Sequence, residues 1–314
     1  MMSPTVKGYL CGIISAVSYG MNPLGALFLY EDGLRPPSVL FYRFSFAAVM
    51  IAVIMAVQRK SFGVNRHELL VLLSLGLLFS VSSLTYYMSF QYMDAGIACT
   101  LLFFYPVMVA VLMVAFFGEK LKISTVLAIV MALAGILLLY RGDGDATLSG
   151  LGLLFIIISG LTYAVYIIVV NQSSIRMSSL KLTLYVLIIC AISLAVFSYS
   201  SGAPLQALPT PRSWICAIGL ALVPSVISLV TMAMAVQLIG STPTAIMGAL
   251  EPLTAVVIGV TVFGEILTPR LSLGILLILG AVMIIIVGKK VSPRVIMSSI
   301  SHFGGKITKH WRWK

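Results

Sequence analysis

Ten apolar runs of about twenty residues follow one another with no more than about a dozen residues in any gap, and few folds tolerate that pattern. At 1.5 Å of rise per residue, each run is long enough as a helix to cross a hydrocarbon layer of about 30 Å. The runs fall at 7–30, 36–57, 68–90, 94–117 and 121–140, then at 149–170, 179–201, 213–236, 241–263 and 268–288. With 60% of the residues hydrophobic and 9% charged, a water-soluble domain could not cover its own apolar surface. The fold class expected is therefore an all-α polytopic membrane protein, and its short connections leave no room for a soluble catalytic domain.

The first run carries Tyr19, Asn22 and Pro23 and lacks a small-x-small cleavage site, so it reads as a retained helix rather than a signal peptide. Cys11, Cys99, Cys190 and Cys216 all fall inside runs without close pairing, which points to buried thiols and to neither a disulfide framework nor a metal site. Nothing in the pattern calls for a cofactor.

Basic residues set the orientation. With the N-terminus in the cytoplasm, 15 of the 20 Lys and Arg fall inside and only Arg35, Arg141, Arg212 and Arg270 outside, while Arg43 lies within the second run. That bias places both termini on the cytoplasmic side. Residues 289–314 form a basic cytoplasmic tail with seven Lys or Arg, no acid, and Trp311 and Trp313 near its end. Such a segment suits the anionic headgroups of a bilayer better than a nucleic acid.

The two halves of the chain resemble each other. Residues 91–121 laid on 237–267 without gaps match Gln91 with Gln237, Pro106 with Pro252, Phe117 with Phe263, Gly118 with Gly264 and Glu119 with Glu265. Ser15 and Tyr19 align with Ser159 and Tyr163 at an offset of 144, and the offset of 146 sets Ser82 and Tyr86 opposite Ser228 and Met232. Five runs per half is an odd number, so the second half enters the membrane from the opposite side. The expected organisation is a first five-helix repeat at 1–145, a second, inverted repeat at 146–288, and the tail at 289–314. Inverted repeats of this kind hold a site near the midplane between the halves, giving ten transmembrane helices around a central cavity. Pro106 and Pro252 share a register and each removes a backbone donor, so they are the expected breaks that bend helices into the cavity. Pro23 and Pro224 read as ordinary kinks.

Glu251 is the residue on which function turns. A carboxylate at bilayer depth costs about 2.5 to 3.5 kcal/mol on insertion scales and so faces protein or water. Three roles are open to it: coupling protons or binding solute, pairing with Arg43, or a local role in the helix. Arg43, about seven residues inside its run, can snorkel outward or turn into the cavity. Tyr19, Asn22, Ser82, Tyr86, Tyr105, Tyr163, Ser228 and Thr244 are further candidates for solute contact, each of which taken singly also suits an interhelical hydrogen bond. Glu119 and Glu265 end their runs at opposite faces, where accepting from backbone donors at the start of the following helix is the favoured role. Gly8 and Gly12 have the spacing of tight helix packing.

The duplicated segments, F-Y-P at 104–106 with F-F-G-E at 116–119, and L-E-P at 250–252 with V-F-G-E at 262–265, together with Arg43-Phe44, resemble the EamA type of the drug/metabolite transporter superfamily over residues 5–290. The resemblance implies a prokaryotic inner-membrane carrier working by alternating access, commonly an exporter of amino acids or related small metabolites. An uncoupled facilitator and a multidrug or nucleoside-type carrier fit the same motifs. The solute is expected to be a small molecule, with protons as a second partner through Glu251.

Other classes fit poorly. His67, His302 and His310 lie in loops or tail, and neither H-E-x-x-H nor G-x-S-x-G occurs, which argues against an enzyme. A channel would more naturally draw filter residues from an oligomer than from an internal two-fold. A membrane sensor acting through the tail is the remaining alternative.

Overall fold

The computed structural model describes residues 3–118, 123–140, 149–173 and 177–288. Glu119 and the basic tail lie outside the described residues. Among those described, nine helical segments are long and apolar enough to cross a membrane, and one further helix contains a shorter apolar stretch, Ile123–Leu138, at the position of the fifth run. The chain is an integral membrane protein with the expected all-helical architecture.

Three of the spans are broken, and a fourth carries a π-helical turn. The first is α1 (Pro4–Gly20) followed by α2 (Asn22–Glu31), and next come the unbroken α3 (Pro36–Val57) and α4 (Arg66–Ser89). The fourth is split into α5 (Ala95–Leu102) and α6 (Tyr105–Phe117), ahead of α7 (Ile123–Tyr140). The second half holds α8 (Gly150–Gln172), α9 (Ser179–Ser200), then α10 (Pro211–Ala221) and α11 (Ser228–Ile239) joined by a π-helical turn over Leu222–Ile227. It ends with α12 (Ser241–Met247), α13 (Leu250–Val262) and α14 (Pro269–Gly288).

Each break has a sequence cause. Pro106 and Pro252 sit in the first turn of α6 and α13, where a missing N–H leaves no helical bond unmade. Pro23 likewise opens α2, and Pro224 lies in the wide turn between α10 and α11. Pro23 thus marks a break of the same kind rather than a simple kink, whereas Pro224 sits in a π turn inside a continuous helix, the ordinary kink expected of it, because proline cannot donate to the preceding turn. At the loop ends, Asn65 and Glu68 form a reciprocal capping box for α4, and Thr210 accepts from the Ser213 N–H at the start of α10.

Packing pairs helices from the two halves. α1 lies along α11 and α4 along α8, while α3 packs on α9, α5 on α13 and α7 on α14. In the repeat register α1 corresponds to α8 and α4 to α11, so the first two pairs are equivalents; α3 with α9 and α7 with α14 each join a helix to its own counterpart, and α5 with α13 joins the two corresponding broken spans. This is the contact pattern of a two-fold. It recurs at atomic scale in two reciprocal serine pairs. Ser15 Oγ donates to the Ser228 carbonyl at 2.9 Å and Ser228 Oγ to the Ser15 carbonyl at 3.0 Å. Ser82 Oγ donates to the Ser159 carbonyl at 3.0 Å and Ser159 Oγ to the Ser82 carbonyl at 2.8 Å. Gly8 makes room for Ile239 and Gly12 for Met247, so the small-residue stripe of α1 does face a packing partner.

Candidate functional site

The broken helices meet around a cavity of about 590 Å³ between the two halves. Its walls come from α1 (Gly12, Ser15, Ala16, Tyr19), from the α5–α6 break (Leu102, Phe103, Tyr105, Pro106, Val109), from α8 (Tyr163, Ile167), from α11 (Ser228, Leu229, Met232, Val236), from the α12–α13 break (Thr244, Ala245, Gly248, Glu251) and from Ile286 of α14. Every one of these residues lies at a break or between the breaks and the face that carries the N-terminus. The exposed members, Met232 and Val236, belong to the half of α11 that ends at that face. The cavity is one-sided.

Glu251 is the one acid among the lining residues and sits in the first turn of α13. Across from it the tyrosines form an aromatic wall, with the Tyr105 and Tyr163 rings edge to face at 4.7 Å and Phe103 packed on Tyr105 at 6.2 Å. The aliphatic hydroxyls are engaged, Thr244 Oγ1 with the Gly240 carbonyl at 2.8 Å and Ser15 with Ser228, which leaves the tyrosine phenols as the hydroxyls of the lining. A site with one carboxyl, several rings and some apolar surface suits a small solute with a polar end and an apolar or aromatic body.

Of the residues singled out from sequence, Glu251, Tyr19, Tyr105, Tyr163, Ser228, Thr244 and Pro106 line this cavity, whereas Arg43, Asn22, Ser82, Tyr86 and Pro252 stand behind its walls. Arg43 is only 4% exposed and is held by hydrogen bonds from Nε to Ser225 Oγ at 3.0 Å and from Nη1 to the Tyr87 hydroxyl at 2.9 Å. Tyr87 in turn donates to Asn22 Oδ1 at 3.2 Å. The guanidinium also lies 5.4 to 6.0 Å from the ring centroids of Phe44, Tyr87 and Tyr19. Among the described residues no carboxylate forms an ion pair with it; the pairs present are Arg212 with Glu31 and with Asp32. Arg43 and Glu251 are therefore not an ion pair in this conformation, and Tyr19 stands within electrostatic reach of both. Ser82 is occupied with Ser159, and the buried Tyr86 hydroxyl makes no well-formed hydrogen bond, the Cys99 thiol being its polar neighbour.

The face away from the N-terminus is shut by contacts between the halves. Gly264 ends the turn after α13 in the left-handed region, at φ 69°, and this sends Glu265 back over the membrane face. Its carboxyl accepts from the Ala95 N–H at 2.8 Å and the Gly96 N–H at 3.3 Å, which caps α5. The expectation that such a glutamate serves the following helix is thereby corrected: Glu265 serves a helix of the other half, because α5 rather than α14 brings its N-terminus beneath the carboxyl. A Cβ on Gly259 would lie 2.0 Å from Glu265 Oε2, so the motif needs glycine there for close approach. Burial first, and then the neighbouring Asp94, raise the Glu265 pKa above the ordinary glutamate range, partly offset by the two N–H donors. Alongside, Arg212 Nη2 donates to Glu31 at 2.7 Å, the Ser213 hydroxyl donates to Asp32 at 2.6 Å, and the Phe28 and Phe263 rings meet at 5.3 Å.

Gly20 was not singled out from the sequence. A Cβ on Gly20 would lie 2.5 Å from the Glu251 carbonyl, so this glycine lets α1 reach the backbone of α13 at the acid itself. The only sequence signal was a glycine just before Asn22-Pro23. A larger groove of about 850 Å³ runs between α3 and α9, lined by residues such as Phe41, Val49, Ile188, Ile192 and Val196. It offers no charged group, and at bilayer depth it is lipid-facing surface rather than a solute site.

A curated relative from Archaeoglobus fulgidus described as an uncharacterized transporter is 28% identical over 274 residues, covering 87% of this chain and 93% of that protein. A solved crystal structure titled only as that of a protein superposes with a TM-score of 0.63 at 17% identity, covering 89% of this chain and 96% of the other, which speaks to the fold alone. The model of the EamA-like transporter family matches twice, over residues 6–141 and again over 150–287. With both halves accounted for by one family model, the chain belongs to the EamA-like transporter family.

Proposed function

We propose that this transporter is a secondary carrier that moves a small polar or amphipathic solute by alternating access, and that the structure is its inward-facing state. The observation that carries the reading is the one-sided cavity at the helix breaks, walled by both halves and holding Glu251. On this reading residues 1–145 and 146–288 are inverted repeats that rock against each other about Pro106 and Pro252, and both termini are cytoplasmic in a prokaryotic inner membrane. The basic tail then lies against the anionic cytoplasmic leaflet. A volume of about 590 Å³ suits a solute of amino-acid to nucleoside size, and export of amino acids or related metabolites is the direction the family resemblance favours.

Glu251 is assigned both tasks open to an acid in such a site: holding the polar end of the solute and exchanging a proton as the cavity changes sides. A carboxyl that alternates between dry and hydrated surroundings takes up and releases a proton, which is what coupling requires. The test is flux in proteoliposomes with and without an imposed pH gradient, using a panel of amino acids and nucleosides. Glu251→Gln is expected to abolish acceleration by the gradient. If both flux and its pH dependence match the unsubstituted protein, the coupling role is wrong and uncoupled facilitation is preferred.

A further inference from the structure

The cavity described above is half of a pair. In the repeat register, Met232, Val236 and Ala245 of its wall correspond to Tyr86, Phe90 and Cys99. Met232 and Val236 are 47% and 38% exposed, whereas Tyr86, Phe90 and Cys99 are 4%, 7% and 2% exposed. The Tyr86 and Phe90 rings meet edge to face at 4.7 Å. Two positions that are exposed in one half, and a third that is half-buried there, are thus all buried in the other, on the side away from the N-terminus.

Two independent features say that this closed cluster is not merely core. The Tyr86 hydroxyl is buried without a well-formed hydrogen bond, a condition that costs free energy and that a core position would normally avoid by being phenylalanine. The helix that carries Cys99, α5, is short, has a break at Phe103–Phe104 on one end, and on the other is held by the Glu265 carboxyl of the opposite half. An element anchored by a cap and ending at a break can swing when the cap lets go.

We propose that Tyr86, Phe90 and Cys99 form the solute-contacting wall of a second vestibule, open to the face away from the N-terminus, with the Tyr86 hydroxyl as its hydrogen-bonding group for the polar end of the solute. The inference rests on the alternating-access reading and adds the residues of its second state. In the present state the wall is collapsed, and opening gives the tyrosine hydroxyl the well-formed bond it lacks, to water or solute.

The experiment is side-specific modification of the full-length protein by a charged, membrane-impermeant methanethiosulfonate in sealed vesicles of known sidedness, with modified cysteines assigned by peptide mass. Cys99 is expected to react at least tenfold faster from the face away from the N-terminus than from the N-terminal face. Tyr86→Phe, which removes the unsatisfied hydroxyl of the closed state, is expected to slow that reaction severalfold. A Met232→Cys variant serves as the reference and is expected to react from the N-terminal face only. Should Met232→Cys react as expected while Cys99 reacts from neither face in a transport-active protein, the second vestibule is overturned and the carrier reading stands. Reaction of both positions equally from both faces points to a continuous pore and overturns the carrier reading as well. An unchanged or faster Cys99 rate in Tyr86→Phe removes the role given to the hydroxyl.

Discussion

The most direct perturbation of the closed face is Glu265→Ala. It removes the acceptor of two N–H groups at the start of α5, one at 2.8 Å and one at a longer 3.3 Å. A net hydrogen bond is worth about 0.5 to 1.5 kcal/mol, and the site is only half-buried, so water can reach the freed donors. The closed face should therefore lose about 1 to 2 kcal/mol, a shift of about 5- to 30-fold toward opening. Spin labels at Tyr92 and Leu267, both exposed and on opposite halves, report the gap across that face. The expected distance distribution is one short population in the unsubstituted protein and a growing long population in Glu265→Ala. The pH dependence follows from linkage. Burial raises the carboxyl's pKa in the closed state relative to a hydrated, open one, so the closed face is the better proton binder. Closure is then favoured at low pH and weakens as pH rises from the ordinary glutamate range through the raised value, a trend that should vanish in Glu265→Ala. A long population that is absent from the alanine variant at every pH would refute the assignment of Glu265 as the clasp.

Gly259→Ala should open the same face more strongly than Glu265→Ala, since its Cβ would overlap Glu265 Oε2, and the same spin-label pair checks it. Ser15→Ala and Ser228→Ala are each expected to cost about 1 kcal/mol of thermal stability in detergent, and the double variant close to the sum, because each hydroxyl bonds the other residue's backbone carbonyl, which alanine leaves in place. Arg43→Lys keeps the charge but cannot hold Ser225 and the Tyr87 hydroxyl in the same planar geometry, so a loss of about 1 to 3 kcal/mol in stability is expected by denaturation, with solute selectivity little changed.

Much of the skeleton was legible because lipid imposes it. Twenty-residue apolar runs have one good solution in a bilayer, and the shared register of Pro106 with Pro252 and of Gly118 with Gly264 exposed the duplication. The glycines at 118 and 264 indeed both adopt positive φ, at 66° and 69°. What the sequence hid is which side of a helix a polar residue serves. Arg43 and Asn22 are as conspicuous in sequence as Glu251, yet they belong to a hydrogen-bonded network with Tyr87 and Ser225 behind the wall. Ser82 and Ser228 occupy equivalent positions and make equivalent bonds, but only Ser228 borders the cavity. Periodicity is blind to that difference because it arises from the conformation of the whole molecule. The partner of Glu265 was equally out of reach, since 170 residues separate it from Ala95.

The same register that makes the scaffold symmetrical makes its chemistry unsymmetrical. Tyr105 and Glu251 precede the paired prolines, and both reach the cavity, so one break delivers a phenol and the other a carboxylate. Two acids at these positions would repel across a dry cavity and share one proton between them; two phenols would offer no charge at physiological pH. One of each gives the proposed carrier a single titratable acid facing an aromatic wall that both halves build, Tyr105 from one and Tyr163 from the other. On this view duplication provided the hinge and divergence at a single pair of positions provided the binding chemistry. Exchanging the two side chains, Tyr105→Glu with Glu251→Tyr, should then retain some solute flux, while either substitution alone should lose it. Loss in the exchanged protein equal to that in Glu251→Tyr, at comparable thermal stability, would show that Glu251 depends on its own surroundings, such as the close approach of Gly20, rather than on the pairing across the breaks.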